Sequence, residues 1–175
     1  RSAREMKLSD TIHKALNEQL GRELRAHFLY RAISFDLYDK GYLGFSAWMD
    51  QHAREEYGHA EKIIAYLKQK DAKVSLSKID VSGKEWGSVQ EAVEAALGHE
   101  QWLTEQIHKV HDLASSENDK TTTILMDWFV EEQKEEEQVV GSLLKRMKLT
   151  EFSPVGLMVI DSELRGVAAQ EAESQ

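Results

Sequence analysis

Glu56 and His59 stand three residues apart in the stretch Glu55-Glu56-Tyr57-Gly58-His59. Around them, apolar residues recur at Phe45, Trp48, Met49, Ala53, Ala60, Ile63, Ile64 and Leu67, the spacing of an amphipathic helix running from about Phe45 to Lys70. His52, Glu56 and His59 fall on the same inward stripe. A carboxylate in such a position is costly unless it is paired, hydrogen-bonded, protonated or bound to a metal. Residues three apart project from neighbouring turns of one face, so Glu-x-x-His can offer two donors to one ion. On its own the motif is weak. An ion-paired glutamate beside a core histidine is its commoner meaning, and a metal reading needs donors from other elements.

The rest of the chain reads as four long helices and a short fifth, an all-α bundle. A first helix starts at Ser9 or Asp10 and runs to about Asp39, where Gly41 ends it; its inward row is Ile12, Leu16, Leu20, Glu23, His27, Tyr30 and Ser34. The helix carrying Glu56 follows after a short connection, which makes the two antiparallel neighbours. From Lys70 to Ser88 the helical period is lost. Val74, Leu76, Ile79 and Val81 alternate with polar residues, but one strand would have no partner, so a long crossover is expected, with the third helix parallel to the second. That third helix spans Ser88 to about Ser116 with Glu100 in its stripe. The fourth spans about Lys120 to Leu149, and Gln133 and Glu136 interrupt its apolar row. After Ser153-Pro154, the pattern Val155, Leu157, Met158, Ile160, Asp161 and Leu164 predicts a fifth helix of about three turns.

Each long helix therefore places one carboxylate on its buried stripe near mid-length: Glu23, Glu56, Glu100 and Glu136. In a bundle, mid-length positions share a level. Four ionised carboxylates in one dry layer repel, each close pair by about 4 kcal/mol at about 4 Å and an effective dielectric near about 20. Protonation or cations must offset that, and two divalent ions would balance the charge, with His59 as a neutral donor. Oxygen-rich ligation with one imidazole suits Fe(II) or Mn(II). The absence of cysteine from all 175 residues removes thiolate zinc sites, iron-sulfur clusters and thiol nucleophiles. With 31 acidic against 22 basic residues the formal charge is −9, so nucleic acid and anionic membranes are poor partners and cations good ones. No apolar run approaches the ~18 residues of a membrane span.

The segments Asn17-Glu18-Gln19 through Tyr30, Glu55 through His59, His99-Glu100, and Trp128-Phe129-Val130-Glu131-Glu132-Gln133 through Glu137 resemble non-haem bacterial and archaeal ferritin over nearly the whole chain. The resemblance implies a ferritin-like four-helix bundle with one long crossover between helices 2 and 3, plus a short fifth C-terminal helix. It also implies a di-iron centre. Glu23, Glu56 and His59 would hold one iron and Glu56, Glu100 and Glu136 the other, with Glu56 as bridge. Gln133 would stand beside the pair, with Tyr30 and Trp128 as nearby aromatics able to supply electrons. Glu55, Glu132 and Glu135 match an accessory third iron site.

The function so implied is iron storage and detoxification. Fe(II) is oxidised by dioxygen or hydrogen peroxide, and Fe(III) is stored as mineral in a homo-oligomeric, 24-subunit cage, most simply in the cytoplasm. A rubrerythrin-like di-iron peroxidase that stores nothing is the alternative. Where bacterioferritin repeats Glu-x-x-His in the fourth helix, this chain has Gln133-Lys134-Glu135-Glu136, so the second iron would lack its own imidazole. Near the start of that helix, where animal ferritins line an entry channel with acids, stand Thr123 and Met126, with Asp127 close by. Residues 1–8 are expected as a disordered leader, 9–165 as the ferritin-like domain and 166–175 as a flexible tail. His13, His27, His52, His99, His108 and His111 read as surface or satisfied core residues, Glu131 and Glu137 as surface, and nothing supports haem ligation.

Overall fold

The computed structural model describes residues 7–80 and 85–173. It contains α1 (Asp10–Asp39), α2 (Leu43–Gln69), α3 (Val89–Ser116), α4 (Lys120–Leu149) and α5 (Pro154–Glu173). Three helix starts are capped in the way their sequences dictate, by side-chain oxygens accepting from orphan backbone amides. Ser9 accepts from Ile12 N, Ser88 from Glu91 N and Asp119 from Thr122 N. Gly41, at φ +87°, reverses the chain after α1 and lets Tyr42 N reach back to Leu37 O at 2.9 Å.

Helix directions follow from what packs together. One apolar cluster joins Ile12, Leu16 and Leu20 from the start of α1 to Ile63 and Leu67 at the end of α2, Ile107 and Val110 at the end of α3, and Leu125 and Phe129 at the start of α4. The other joins the opposite ends, from Ile33 and Leu37 through Phe45, Val93 and Leu144 to Leu157 of α5. So α2 and α3 run parallel to one another and antiparallel to α1 and α4, which requires the long crossover. Its described part contains no strand. It is held to α1 instead: Asn17 accepts from Ser75 N at 2.7 Å and donates to Lys73 O at 3.1 Å, and His13 Nε2 lies 2.7 Å from Lys73 O.

Two boundaries shift from their expected places. The fifth helix, expected to span about three turns, runs from Pro154 to Glu173, 20 residues in all, because the stretch after Gly166 is rich in strong helix formers and has no proline. Leu8 is buried in the first of these clusters, beside Ile12 and Leu16, so the ordered chain begins before Ser9, while residues 1–6 of the expected leader lie outside the described residues. Val139, which falls on the apolar period of α4, is nonetheless exposed, as are Val155 and Met158; α5 buries Leu157, Ile160 and Leu164.

α5 is seated on the start of α2 by apolar packing and by a close approach of the two backbones. Asp161 is buried and its Oδ1 accepts from Phe45 N at 2.9 Å, and a Cβ built on Gly44 would stand 1.7 Å from Asp161 O. No side chain fits between the two backbones. Gly44→Ala is expected to destabilise the chain by about 1–3 kcal/mol and to free α5, read as a lower melting temperature and faster proteolytic removal of α5.

Candidate metal centre

Between the two apolar clusters lies a polar layer built from all four long helices. Glu23 of α1, Glu56 of α2 and Glu100 of α3 are completely buried, and Gln133 and Glu136 of α4 and His59 of α2 nearly so. Helical register explains their meeting, since each sits near the middle of its helix and on its inward stripe. Glu23, Glu56 and His59 bring donor atoms within 4.8 Å of one another, and so do Glu56, Glu100 and Glu136. Glu56 belongs to both groups.

Hydrogen bonds claim some of these oxygens and leave others bare. Glu23 Oε1 accepts from Gln19 Nε2 at 2.7 Å, and Arg22 fixes that amide by donating to Gln19 Oε1 at 3.1 Å. Glu100 Oε1 accepts from Tyr30 OH at 2.6 Å and Oε2 from Gln133 Nε2 at 3.1 Å. By contrast Glu23 Oε2, both oxygens of Glu56, His59 Nδ1 and Gln133 Oε1 are buried without a hydrogen-bond partner. Buried polar atoms are seldom left so, and five at one level point to a ligand that completes them. The donor set fits divalent iron: carboxylate oxygen dominates, with one imidazole and no sulfur. Glu56, whose oxygens accept no hydrogen bond and whose Oε2 meets His59 Nδ1 at 3.5 Å, is the one shared by both groups.

The electrostatics agree. Burial, reinforced by Glu100 and Glu23, outweighs the lowering pull of His59 and pushes Glu56 well above the usual carboxylate range. Burial and the neighbouring Glu136 push Glu100 up to about 7, against the lowering hydrogen bond from Tyr30. Burial pulls His59 down, but the Glu23 and Glu56 carboxylates outweigh it and hold the imidazole up to about 11. Without a cation, protons must do the neutralising. Tyr30 is raised by burial and by Glu100, so it stays a neutral hydrogen-bond donor.

Beside this layer opens a pocket of about 430 Å³. Glu55, Glu132 and Glu135, the acids expected to form a third site, all line it. The donors that converge, however, are His52, Glu55 and Glu136, again within 4.8 Å. His52 was expected to be core or surface. Its Nδ1 instead lies 3.1 Å from Glu136 Oε2 and 3.3 Å from Glu55 Oε2. An imidazole thus does stand beside the second group of acids, supplied by α2 rather than α4. The signal was present in the sequence, since His52 precedes Glu56 by one helical turn on the same stripe.

The remaining histidines find ordinary places. His27 Nδ1 is 2.6 Å from Ala53 O, His111 Nε2 is 2.8 Å from Asp127, and His108 is exposed. Burial and Arg25 hold His99 down to about 4, hence neutral. Trp128 packs edge-on against the His59 ring with centroids 5.5 Å apart, under the Lys62 ammonium at 4.1 Å. Glu137 is not wholly on the surface: it accepts from Thr104 Oγ1 at 2.6 Å, and Thr104 also stands 3.3 Å from Gln133 Nε2.

Comparison with known proteins supplies names for the likeness. The ferritin-like domain family matches residues 13–150. Bacterial non-heme ferritin from Bacteroides fragilis is 32% identical over 157 residues, covering 90% of this chain and 98% of the relative. The protein of the same name from Campylobacter jejuni is 31% identical over 161 residues, covering 92% and 96%. Among solved structures, an open pore ferritin from the archaeon Archaeoglobus fulgidus superposes with a TM-score of 0.88 at 30% identity, over 91% of this chain and 98% of that one.

Proposed function

We propose, from the premise that the chain belongs to the ferritin family, that it is a ferroxidase that oxidises Fe(II) and stores Fe(III) as mineral in a hollow cage of 24 copies. The observation that carries this reading is the set of four buried carboxylates at one level, among which Glu23 Oε2, both Glu56 oxygens and His59 Nδ1 make no hydrogen bond and face one another, with His59 Nδ1 3.5 Å from Glu56 and 3.8 Å from Glu23. Glu23, Glu56 and His59 hold one Fe(II); Glu56, Glu100 and Glu136 hold the second. Bound iron supplies the electrons for reduction of dioxygen or hydrogen peroxide. The protein supplies placement and charge: Gln19 and Arg22 fix Glu23, Tyr30 and Gln133 fix Glu100, and Glu56 is free to bridge. Tyr30 also offers one electron and one proton next to a ligand carboxylate. Glu55, Glu132 and Glu135 form the accessory third site in the adjoining pocket, with His52 as an added donor.

Storage is supported by the surface. A single chain leaves Phe35 and Tyr38 of α1 and Val155 and Val159 of α5 in water, and such apolar side chains are what neighbouring copies would cover. No helix among the described residues is long and apolar enough to cross a membrane. With a charge of −9 the partners are cations rather than nucleic acid or membrane, and the compartment proposed is the cytoplasm.

Anaerobic Fe(II) titration, oxygen readmission and sizing of the particle test the reading together. Tight binding of at least two irons per chain is expected, followed by oxygen-dependent oxidation and retention of far more iron than the sites hold in a particle of cage mass. A dimer that turns over peroxide and retains no mineral would support the rubrerythrin-like alternative instead.

A further inference from the structure

Tyr30, His52 and Trp48 form a continuous run of rings leading out of the metal centre. Tyr30 is bonded through its hydroxyl to Glu100. Its ring stacks on His52 with centroids 5.4 Å apart and 23° between planes, and His52 in turn meets the Trp48 indole at 4.1 Å. Trp48 is partly buried and lines the acid-rich pocket together with Glu55, Glu132 and Glu135. Stacked rings at such distances couple their π systems, and Tyr and Trp are the most readily oxidised aromatic side chains. The Trp128 ring lies elsewhere, against His59. Each group of acids thus has its own aromatic exit.

We propose that Trp48, through His52, is an electron relay that carries reducing equivalents from Fe(II) in the pocket to Tyr30; the inference rests on the ferroxidase reading above. Reduction of dioxygen to water takes four electrons, and two bound Fe(II) supply two. Tyr30 supplies a further one, its proton passing to the Glu100 carboxylate that already accepts its hydrogen bond, and is left as a neutral phenoxyl radical. Trp48 then gives one electron across His52 to the phenoxyl, which recovers its proton from Glu100. The indole loses its N–H proton to water in the pocket and becomes a neutral radical. One Fe(II) at the pocket carboxylates returns an electron, becoming Fe(III), and the indole takes its proton back. Each cycle moves one electron from pocket iron to the oxidising centre, and a second cycle, with a fresh Fe(II) replacing the Fe(III) in the pocket and the restored Tyr30 giving again, supplies the fourth electron that water formation takes. No side chain is consumed.

Rapid-freeze electron paramagnetic resonance on the Fe(II)-loaded assembly mixed with oxygen tests this. In Trp48→Phe the tyrosyl signal is expected to persist about tenfold longer than in the unaltered protein, with the first fast phase of iron oxidation unchanged. Trp48→Tyr, which restores an oxidisable ring, is expected to bring the lifetime back, an outcome that a purely structural role for Trp48 would not give. Equal lifetimes in the unaltered and Trp48→Phe proteins, or no tyrosyl signal in either, would overturn the relay. Absence of oxygen-dependent Fe(II) oxidation in the unaltered protein would instead overturn the reading on which the relay rests.

Discussion

Glu56→Gln removes both tightly bound irons per chain from an anaerobic titration, whereas Glu23→Gln removes one. The difference is expected because Glu56 alone is common to the two converging groups, Glu23 with His59 on one side and Glu100 with Glu136 on the other. Both its oxygens are buried and free of hydrogen bonds, so nothing else in the layer can take over the shared position. Loss of a partner that merely supports a ligand costs about 10–100-fold in metal affinity or activity; loss of the bridge should slow oxygen-dependent oxidation by more than about 100-fold. Stability of the metal-free protein should move the other way. Burial and acidic neighbours keep Glu56 protonated in the metal-free fold, so folding at neutral pH must supply a proton that the unfolded chain has lost; a neutral isostere removes that cost, by about 1–3 kcal/mol. In a domain of this size that is a melting temperature several degrees higher. A variant that still titrates two irons, or one that is destabilised when metal-free, would show that Glu56 is structural.

The bundle was legible in the sequence because apolar periodicity runs nearly uninterrupted through four long helices and caps mark their starts. Glu23, Glu56, Glu100 and Glu136 stood out as acids in otherwise apolar rows, and the structure does bring them to one level. Other features depend on rotamers and neighbours that periodicity does not encode. His52 shares the stripe of Glu56, but whether it meets a carboxylate or the core depends on how α4 packs across from it. Gln19 reads as an ordinary helix residue until Glu23 is seen to accept its hydrogen bond. The reach of α5 was underestimated because the small residues past Gly166 are equally compatible with a loose tail. Its seat was invisible as well, since the fit between Gly44 and Asp161 joins segments more than a hundred residues apart.

Removal of metal should invert the way stability depends on pH. In the folded, metal-free protein Glu100 is raised from 4.5 to about 7, so between those values the native state holds a proton that the unfolded chain has lost, and stability falls as pH rises. That single group accounts for about 3 kcal/mol across the window. His59 acts with the same sign over a higher range: raised from 6.5 to about 11, its contribution is fully present below 6.5 and disappears as pH climbs toward 11. Glu56, raised by burial and by Glu100 and Glu23, adds to the fall. Divalent cations replace these protons, and their binding releases them, so affinity strengthens as pH rises. Melting curves recorded anaerobically with and without Fe(II) are therefore expected to lie close together near pH 5 and to separate widely near pH 8, with the metal-free protein the less stable at the higher pH. The general repulsion of a chain of charge −9 also grows with pH, and Glu100→Gln separates the two effects: it should make the metal-free curve shallower between pH 4.5 and 7, where Glu56 still contributes, and leave the slope above that range in place. A metal-free protein more stable at pH 8 than at pH 5 would mean that the buried acids are neutralised by something other than protons and cations.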